Sequence, residues 1–236
     1  MKSPLVIGYK GEIGSFILNG LLRLMPKAND IWCVDINNSA VEVVERIKKS
    51  DVIFLCVPIR DTVKWLEAHS LFLKDKIIIE QASLKESIFK SQVVKDFNVI
   101  PMHILFRPSA TPNCDDRKVA LFDSPPMSSK MVEVIKKLTL ARIVWFQSVS
   151  EHDQEMAIQQ ALVHRTLLAL NDLTSINNTT TYIGGKVAEL CERISNGDEE
   201  LYEFIQSNEH LTGKIDLLVE GIKNFDIKEH MIPKGK

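Results

Sequence analysis

The chain reads as an α/β protein, a doubly wound and mostly parallel sheet followed by a smaller all-helical domain, and three features predict this. Apolar strand-like runs alternate with helix-like segments through the first 147 residues, a glycine-rich turn joins the first strand to the first helix, and strand texture stops after Gln147. Strands are predicted at residues 5–8, 31–35, 52–57, 76–80, 98–102, 119–122 and 142–146. The third, Val52-Ile53-Phe54-Leu55-Cys56-Val57, is apolar without interruption, as expected of a strand covered by helices on both faces. Between the strands, residues 39–49, 61–71 and 128–140 place apolar side chains at helical spacing.

From residue 148 to 225 the spacing is helical throughout, so the domain boundary is predicted between 147 and 148, with 1–147 as the sheet domain and 148–236 as the helical one. Ser148-x-x-Glu151 has the form of a capping box and starts a helix that meets no proline or glycine before Leu170. Helices are expected further on at 185–194, 199–208 and 209–224, and the tail 227–236 as frayed chain. This bundle is thin for the amount of Leu, Ile and Ala on the long helix, which predicts a homodimer formed through the helical domain.

Composition narrows the function. With 29 basic against 31 acidic residues the net charge is −2, so no polyanion-binding surface is announced and nucleic acid is not an expected partner. Cys33, Cys56, Cys114 and Cys191 are scattered without C-x-x-C spacing, which predicts reduced thiols, a cytoplasmic location and neither zinc site nor disulfide frame. No stretch approaches the roughly 18 apolar residues of a membrane span, and because Met1-Lys2-Ser3 leads straight into the first strand neither a membrane span nor a signal peptide is expected.

The first strand runs into Gly8-Tyr9-Lys10-Gly11-Glu12-Ile13-Gly14, a loop of the kind that cradles a pyrophosphate on the free N–H groups of the following helix. In the G-x-G-x-x-G spacing the first glycine is replaced by Tyr9, while an extra glycine, Gly8, precedes it. Asp35 ends the second strand 21 residues after Gly14, where a dinucleotide fold places the carboxylate that holds the adenosine ribose. A solvated strand-end carboxylate is the alternative reading. No arginine follows Asp35 to receive a 2′-phosphate, so NAD is preferred to NADP, and Val57-Pro58 is an expected wall of the same site. Ser83, Lys85 and His103 follow the ends of later strands and are candidates for the nicotinamide end of the cleft. A histidine there has a pKa suited to accepting a proton as hydride leaves an alcohol, although it could equally cap a strand end.

On the long helix Gln160 and His164 are about 40° apart and share a face. His152 is about 120° from His164, so His152 and Asp153 are assigned a structural role near the helix start. Arg193 is either an exposed charge or a planar donor for an anionic substrate.

Taken together, the segments 8–14, 56–63, 82–85 and 102–106, with Ser150-Glu151-His152-Asp153 leading to Gln160-Ala161-Leu162-Val163-His164, resemble the prephenate dehydrogenase family over nearly the whole chain. The resemblance implies a Rossmann-type domain followed by a helical dimerisation domain. It also implies NAD-dependent oxidative decarboxylation of prephenate to 4-hydroxyphenylpyruvate, a step towards tyrosine, without a metal. It puts His103 on the catalytic histidine, Ser83 on the serine that helps hold the substrate hydroxyl and that histidine, Arg193 on the arginine for a substrate carboxylate, and Lys85, Gln160 and His164 along the cleft. Departures are Tyr9 and Arg107 where the family generally has glycine, Ile104 where proline follows the histidine, and Gly185 where related enzymes carry a second arginine. Arogenate is the close alternative substrate. A non-catalytic dinucleotide-binding regulator and, more remotely, a hydroxy-acid or imine reductase of the same architecture are the other readings.

Overall fold

Strands β1 (Pro4–Ile7), β2 (Trp32–Val34), β3 (Val52–Leu55), β4 (Ile77–Glu80), β5 (Asn98–Ile104), β6 (Lys118–Phe122) and β7 (Arg142–Phe146) hydrogen-bond into one sheet in the order β2-β1-β3-β4-β5-β6-β7. The computed structural model describes residues 3–26, 30–110, 114–123, 127–173, 181–197 and 199–224. All neighbouring strands are parallel except β5 and β6. The mostly parallel, doubly wound sheet is therefore present, with all seven expected strands.

Alternation along each strand explains the two helical layers. Val6, Phe54, Ile79 and Ile100 point into one apolar cluster with Ile17 and Leu21 of α1 (Glu12–Leu24) and Ile135 and Leu138 of α6 (Ser129–Thr139). The residues between them, Leu5, Ile53 and Ile78, are equally buried, so the opposite face is covered too. There α2 (Ala40–Lys49) contacts β2 and α5 (Gln92–Lys95) contacts β5, while α3 (Ile59–His69) packs on α5, which follows the short α4 (Glu86–Phe89). Serines fix two of the helix starts: Ser39 closes a reciprocal capping box with Glu42, and Ser128 Oγ accepts from Met131 N at 3.2 Å.

Strand β5 is longer than its expected 98–102 because it changes partner along its length. Residues 98–101 pair with β4, and Met102, His103 and Ile104 pair with the antiparallel β6. Pro101, which has no N–H to donate, sits at the change. His103 therefore lies inside a strand opposite Ala120, not in the loop beyond one.

The chain divides into two compact units, Met1–Asp153 and Gln154–Lys236. The division falls later than the expected 147/148 because the start of α7 (Val149–Met156) is tied by side-chain hydrogen bonds from His152 and Asp153 to β5 and to the start of α4. Ser148 does cap α7, its Oγ accepting from Glu151 N at 3.1 Å, while Glu151 reaches back to Gln147 N at 2.6 Å.

In the second unit a π-helical segment, Ala157–Leu162, precedes α8 (Val163–Leu173). Helix α8 packs on α9 (Tyr182–Ser195), where Cys191 Sγ donates to Leu167 O at 3.1 Å. Ile205 of α10 (Glu199–Gln206) and Leu211, just before α11 (Thr212–Lys223), cluster with Ala161. Helix α9 begins before the expected residue 185 because Thr181 caps it, its Oγ1 accepting from Gly184 N at 3.1 Å. The tail 227–236 lies outside the described residues.

At the turn from β1 to α1, Gly8 has φ +76°, and a Cβ there would overlap Cys56 O. Gly11 differs, with extended backbone (φ −68°, ψ 164°) and an ordinary 3.4 Å contact awaiting a Cβ. Gly8→Ala should accordingly lower the unfolding free energy by about 1–3 kcal/mol or more, whereas Gly11→Ala should stay within about 1 kcal/mol of the parent. Urea denaturation of both variants checks this, and equal losses would contradict it.

Candidate active site

Strand order reverses at β1, which has β2 on one side and β3 on the other, and this opens a crevice at the carboxyl ends of the strands. The glycine turn lies there. Gly11 is the N-cap of α1, is exposed and offers no side-chain cap, so the first N–H groups of the helix have no capping side chain. Tyr9 has negative φ and packs against the core cluster of the sheet, so the positive-φ demand at this turn falls on Gly8. Asp35 follows β2 and reaches over the turn, its Oδ2 accepting from Lys10 N and its Oδ1 from Ile36 N, both at 2.9 Å. Val57 and Pro58 lead from β3 into α3 on the other side, with Pro58 the N-cap. Ile13 packs into the core cluster, and Gly14 is buried where a Cβ would collide with Gly8 O. An uncapped helix start, an exposed glycine and a strand-end carboxylate are the features a dinucleotide requires, and the residues fit a dinucleotide cofactor.

Glu12 stands in the first turn of α1, where its charge would oppose a phosphate. Its carboxylate accepts from Ser109 N (2.9 Å), Ser109 Oγ (2.6 Å) and Arg107 Nε (3.2 Å). Partial burial works against ionisation, but the Ser109 hydrogen bonds and the Arg107 guanidinium outweigh it and hold the carboxyl below its usual range. Arg107, a departure from the family pattern, thus neutralises Glu12.

At the ends of β4 and β5 the polar side chains are buried and interlocked. Lys85 is fully buried, and its Nζ donates to Glu80 Oε2 (2.6 Å), Met102 O (2.7 Å) and Glu80 O (3.2 Å). Burial pushes the Glu80 carboxyl up and the Lys85 ammonium down, and their contact opposes both shifts. Asp153 accepts from Lys85 N (3.0 Å to Oδ2) and Glu86 N (2.8 Å) and pairs with His152 Nδ1 (2.7 Å). His152 Nε2 lies 3.1 Å from His103 Nδ1. The His152 ring sits among Phe122, Phe146 and His103, with centroids 5.3, 5.1 and 5.2 Å away. His103 Nε2 makes no hydrogen bond among the described residues. Burial, then His152 and Lys85, holds His103 well below its ordinary pKa, and burial also lowers that of His152 against the opposing pull of Asp153.

These positions revise three expectations. Lys85 does not line a cleft, because its ammonium is consumed by Glu80 and two carbonyls with no surface left exposed. The helix-start role of His152 and Asp153 is incomplete, since His152 is hydrogen-bonded to the candidate base. Ser83 is half-buried beyond β4 and makes no hydrogen bond to His103. Gln81 was not singled out by the sequence, yet its amide is buried with both polar atoms unpartnered among the described residues. Its signal was its place in the polar stretch directly after β4, two residues before the candidate Ser83.

In the helical unit Gln160 lies in the π-helical segment and His164 in the first turn of α8. Gln160 Oε1 and His164 Nδ1 are both buried without a partner among the described residues, and the His164 ring meets Tyr202 edge-on at 5.1 Å. Burial lowers the His164 pKa. Arg193 is half-exposed near the end of α9, with Nη2 3.6 Å from Glu189 Oε1.

The family model for the prephenate dehydrogenase nucleotide-binding domain matches residues 27–143. Among solved structures, Aquifex aeolicus prephenate dehydrogenase in complex with hydroxyphenyl propionate and NAD+ is similar at 19% identity and a TM-score of 0.71, over 94% of this chain and 88% of that one. Synechocystis arogenate dehydrogenase is similar at 20% identity and a TM-score of 0.63, over 96% and 94%. A Coxiella burnetii pyrroline-5-carboxylate reductase is similar at 13% identity and 0.53, over 94% and 91%. No curated protein matches the sequence. At these identities the structural likenesses speak to the fold, and the family is carried by the match to residues 27–143: the sheet domain of this chain belongs to the prephenate dehydrogenase family.

Proposed function

We propose that this protein is an NAD-dependent prephenate dehydrogenase that forms 4-hydroxyphenylpyruvate and CO2, with arogenate as the neighbouring substrate. The observation that carries the reading is His103, buried at the carboxyl edge of the sheet with Nδ1 engaged by His152 and Nε2 unengaged among the described residues. A nitrogen in that state accepts the proton of a substrate hydroxyl. NAD, when bound, supplies the hydride acceptor. As the hydroxyl carbon loses hydride, the oxygen becomes a carbonyl and its proton goes to His103 Nε2. Loss of the ring carboxylate as CO2 then returns the electron pair to an aromatic ring, and the phenolate oxygen recovers the proton from His103.

Residues 8–14, Asp35, Val57 and Pro58 are assigned to the cofactor, and the negative Asp35 beside Lys10 N favours NAD over a 2′-phosphorylated form. Ser83 is assigned to the substrate hydroxyl, and Gln160, His164 and Arg193 to the rest of the substrate. Exposed Leu190, Leu217, Val219 and Ile222 on the helical unit support a homodimer. The free thiols of Cys33, Cys56 and Cys191 support a cytoplasmic location. Among the described residues no helix is long and apolar enough to cross a membrane.

Steady-state rates with prephenate and arogenate, each with NAD and NADP, test the assignment. Reduction of NAD with prephenate is expected, and absence of reduced cofactor with both substrates would leave a non-catalytic nucleotide-binding protein. His103→Asn should lower kcat by about 10²–10⁴-fold while calorimetric NAD affinity stays near the parent value; retained turnover removes His103 from the chemistry. Because burial keeps His103 neutral below the ordinary imidazole pKa, kcat/KM should hold level as pH falls to about 6.5 and decline only below it. An acid limb centred above neutrality would contradict that sign. Gly11→Ala should fold normally yet bind NAD at least about tenfold more weakly, since its Cβ enters the space a pyrophosphate needs; unchanged affinity would place the phosphates elsewhere.

A further inference from the structure

Asp153, His152 and His103 are joined in sequence by two hydrogen bonds, and with both imidazoles neutral only one distribution of protons satisfies them. The Asp153 carboxylate accepts from Lys85 N and Glu86 N, and it faces His152 Nδ1 as an acceptor. His152 Nδ1 therefore carries hydrogen. Its Nε2 is then a bare lone pair 3.1 Å from His103 Nδ1, so His103 Nδ1 must be the donor. That leaves His103 Nε2 without hydrogen, and it is the nitrogen with no hydrogen bond among the described residues.

We propose that His152 and Asp153 are positioning residues that fix the tautomer of His103, so that Nε2 is the atom that accepts a proton from substrate. The inference rests on reading His103 as the base. In the step, the substrate O–H bond breaks, the proton bonds to Nε2 and the electron pair remains on the substrate oxygen. The imidazolium so formed keeps its Nδ1–H against the His152 lone pair, with the Asp153 carboxylate one ring further on. The other charges facing the pair come from the neighbouring elements: the Lys85 ammonium, which opposes protonation, and the Glu80 carboxylate bound to it.

A purely structural role explains less. An apolar ring would fill the space among Phe122, Phe146 and His103 without burying two polar nitrogens, whereas the imidazole has both satisfied, one by a carboxylate and one by the candidate base. Asp153 in turn could cap α4 from any orientation that reached Lys85 N and Glu86 N, but it also engages His152.

Nitrogen-15 NMR of the full chain with labelled histidine, at a pH where both rings are neutral, reads the tautomer directly and needs no substrate. His103→Gln identifies the resonances. His103 should be protonated at Nδ1 only, and Asp153→Asn, whose amide can donate to His152 Nδ1, should move the proton to His103 Nε2. With prephenate and NAD, that variant and His152→Phe should lose on the order of 10²-fold in kcat with little change in KM. His152→Gln, which keeps a carbonyl acceptor for His103 Nδ1–H, should recover part of the loss. Should Asp153→Asn fail to fold because it caps α4, the wild-type tautomer and the His152 pair decide the matter. An Nε2-protonated His103 in the wild type, or a His152→Phe enzyme with wild-type kcat and pH profile, overturns the proposal. Lack of turnover in the wild type would instead overturn the assigned reaction, with the tautomer still measured.

Discussion

The carboxylate of Asp153 accepts hydrogen bonds from parts of the chain nearly 70 residues apart, the Lys85 and Glu86 amides at the start of α4 and the His152 ring on its own helix. Around it the other buried polar groups take fixed places. Lys85, anchored at its amide by Asp153, turns its ammonium to Glu80 and to the carbonyl of Met102, the residue before His103. A buried ammonium without partners costs several kcal/mol, so the three contacts to Lys85 Nζ are a condition of the fold at this edge. They also hold the backbone that presents the candidate base. The order of dependence is Asp153, then α4 and Lys85, then the end of β5 and His103.

The glycine turn between β1 and α1 obeys a steric constraint in place of an electrostatic one. Gly8 has positive φ against Cys56 O, and Gly14 packs directly on Gly8, so the turn is closed by backbone meeting backbone. Once Gly8 carries that conformation Tyr9 needs no special one, and its ring is available for packing against the sheet. The missing first glycine of the motif is thereby accounted for. Charge is settled locally in the same way, since Glu12 in the first turn of α1 is matched by Arg107 and Ser109 from the loop after β5. Two departures from the family pattern, Tyr9 and Arg107, thus have physical explanations within this chain.

Much of the architecture was legible because it depends on local pattern: continuous apolar runs for strands buried on both faces, and serine caps at helix starts. The end of β5 was not, because its length depends on a change of pairing partner, which is non-local. Lys85 was misplaced for a related reason. A lysine is normally read as solvent- or ligand-facing, and only tertiary structure shows that Glu80 and two carbonyls enclose this one. The partner of His152 was not legible, because helical spacing relates it only to residues of its own helix such as His164, while its hydrogen-bonded neighbour His103 lies on a strand. That spacing also assumes an unbroken α-helix, and the π-helical segment Ala157–Leu162 lies between His152 and His164.

Hydrogen-bond satisfaction separates the buried polar groups by task. Glu80, Lys85, His152 and Asp153 have partners within the protein, as groups do when their purpose is to be held still. Gln81, Gln160 Oε1 and His164 Nδ1 are buried without partners among the described residues, and each such atom costs about 1–3 kcal/mol in the folded chain. A cost of that size is recovered when a ligand supplies the missing partner, so unsatisfied atoms are where ligand chemistry is expected. His103 belongs to both sets, with Nδ1 satisfied and Nε2 unengaged. One ring thereby joins the rigid network to the position where the proposed reaction moves a proton, and this division between its two nitrogens makes it the candidate base where the fully enclosed Lys85 is not.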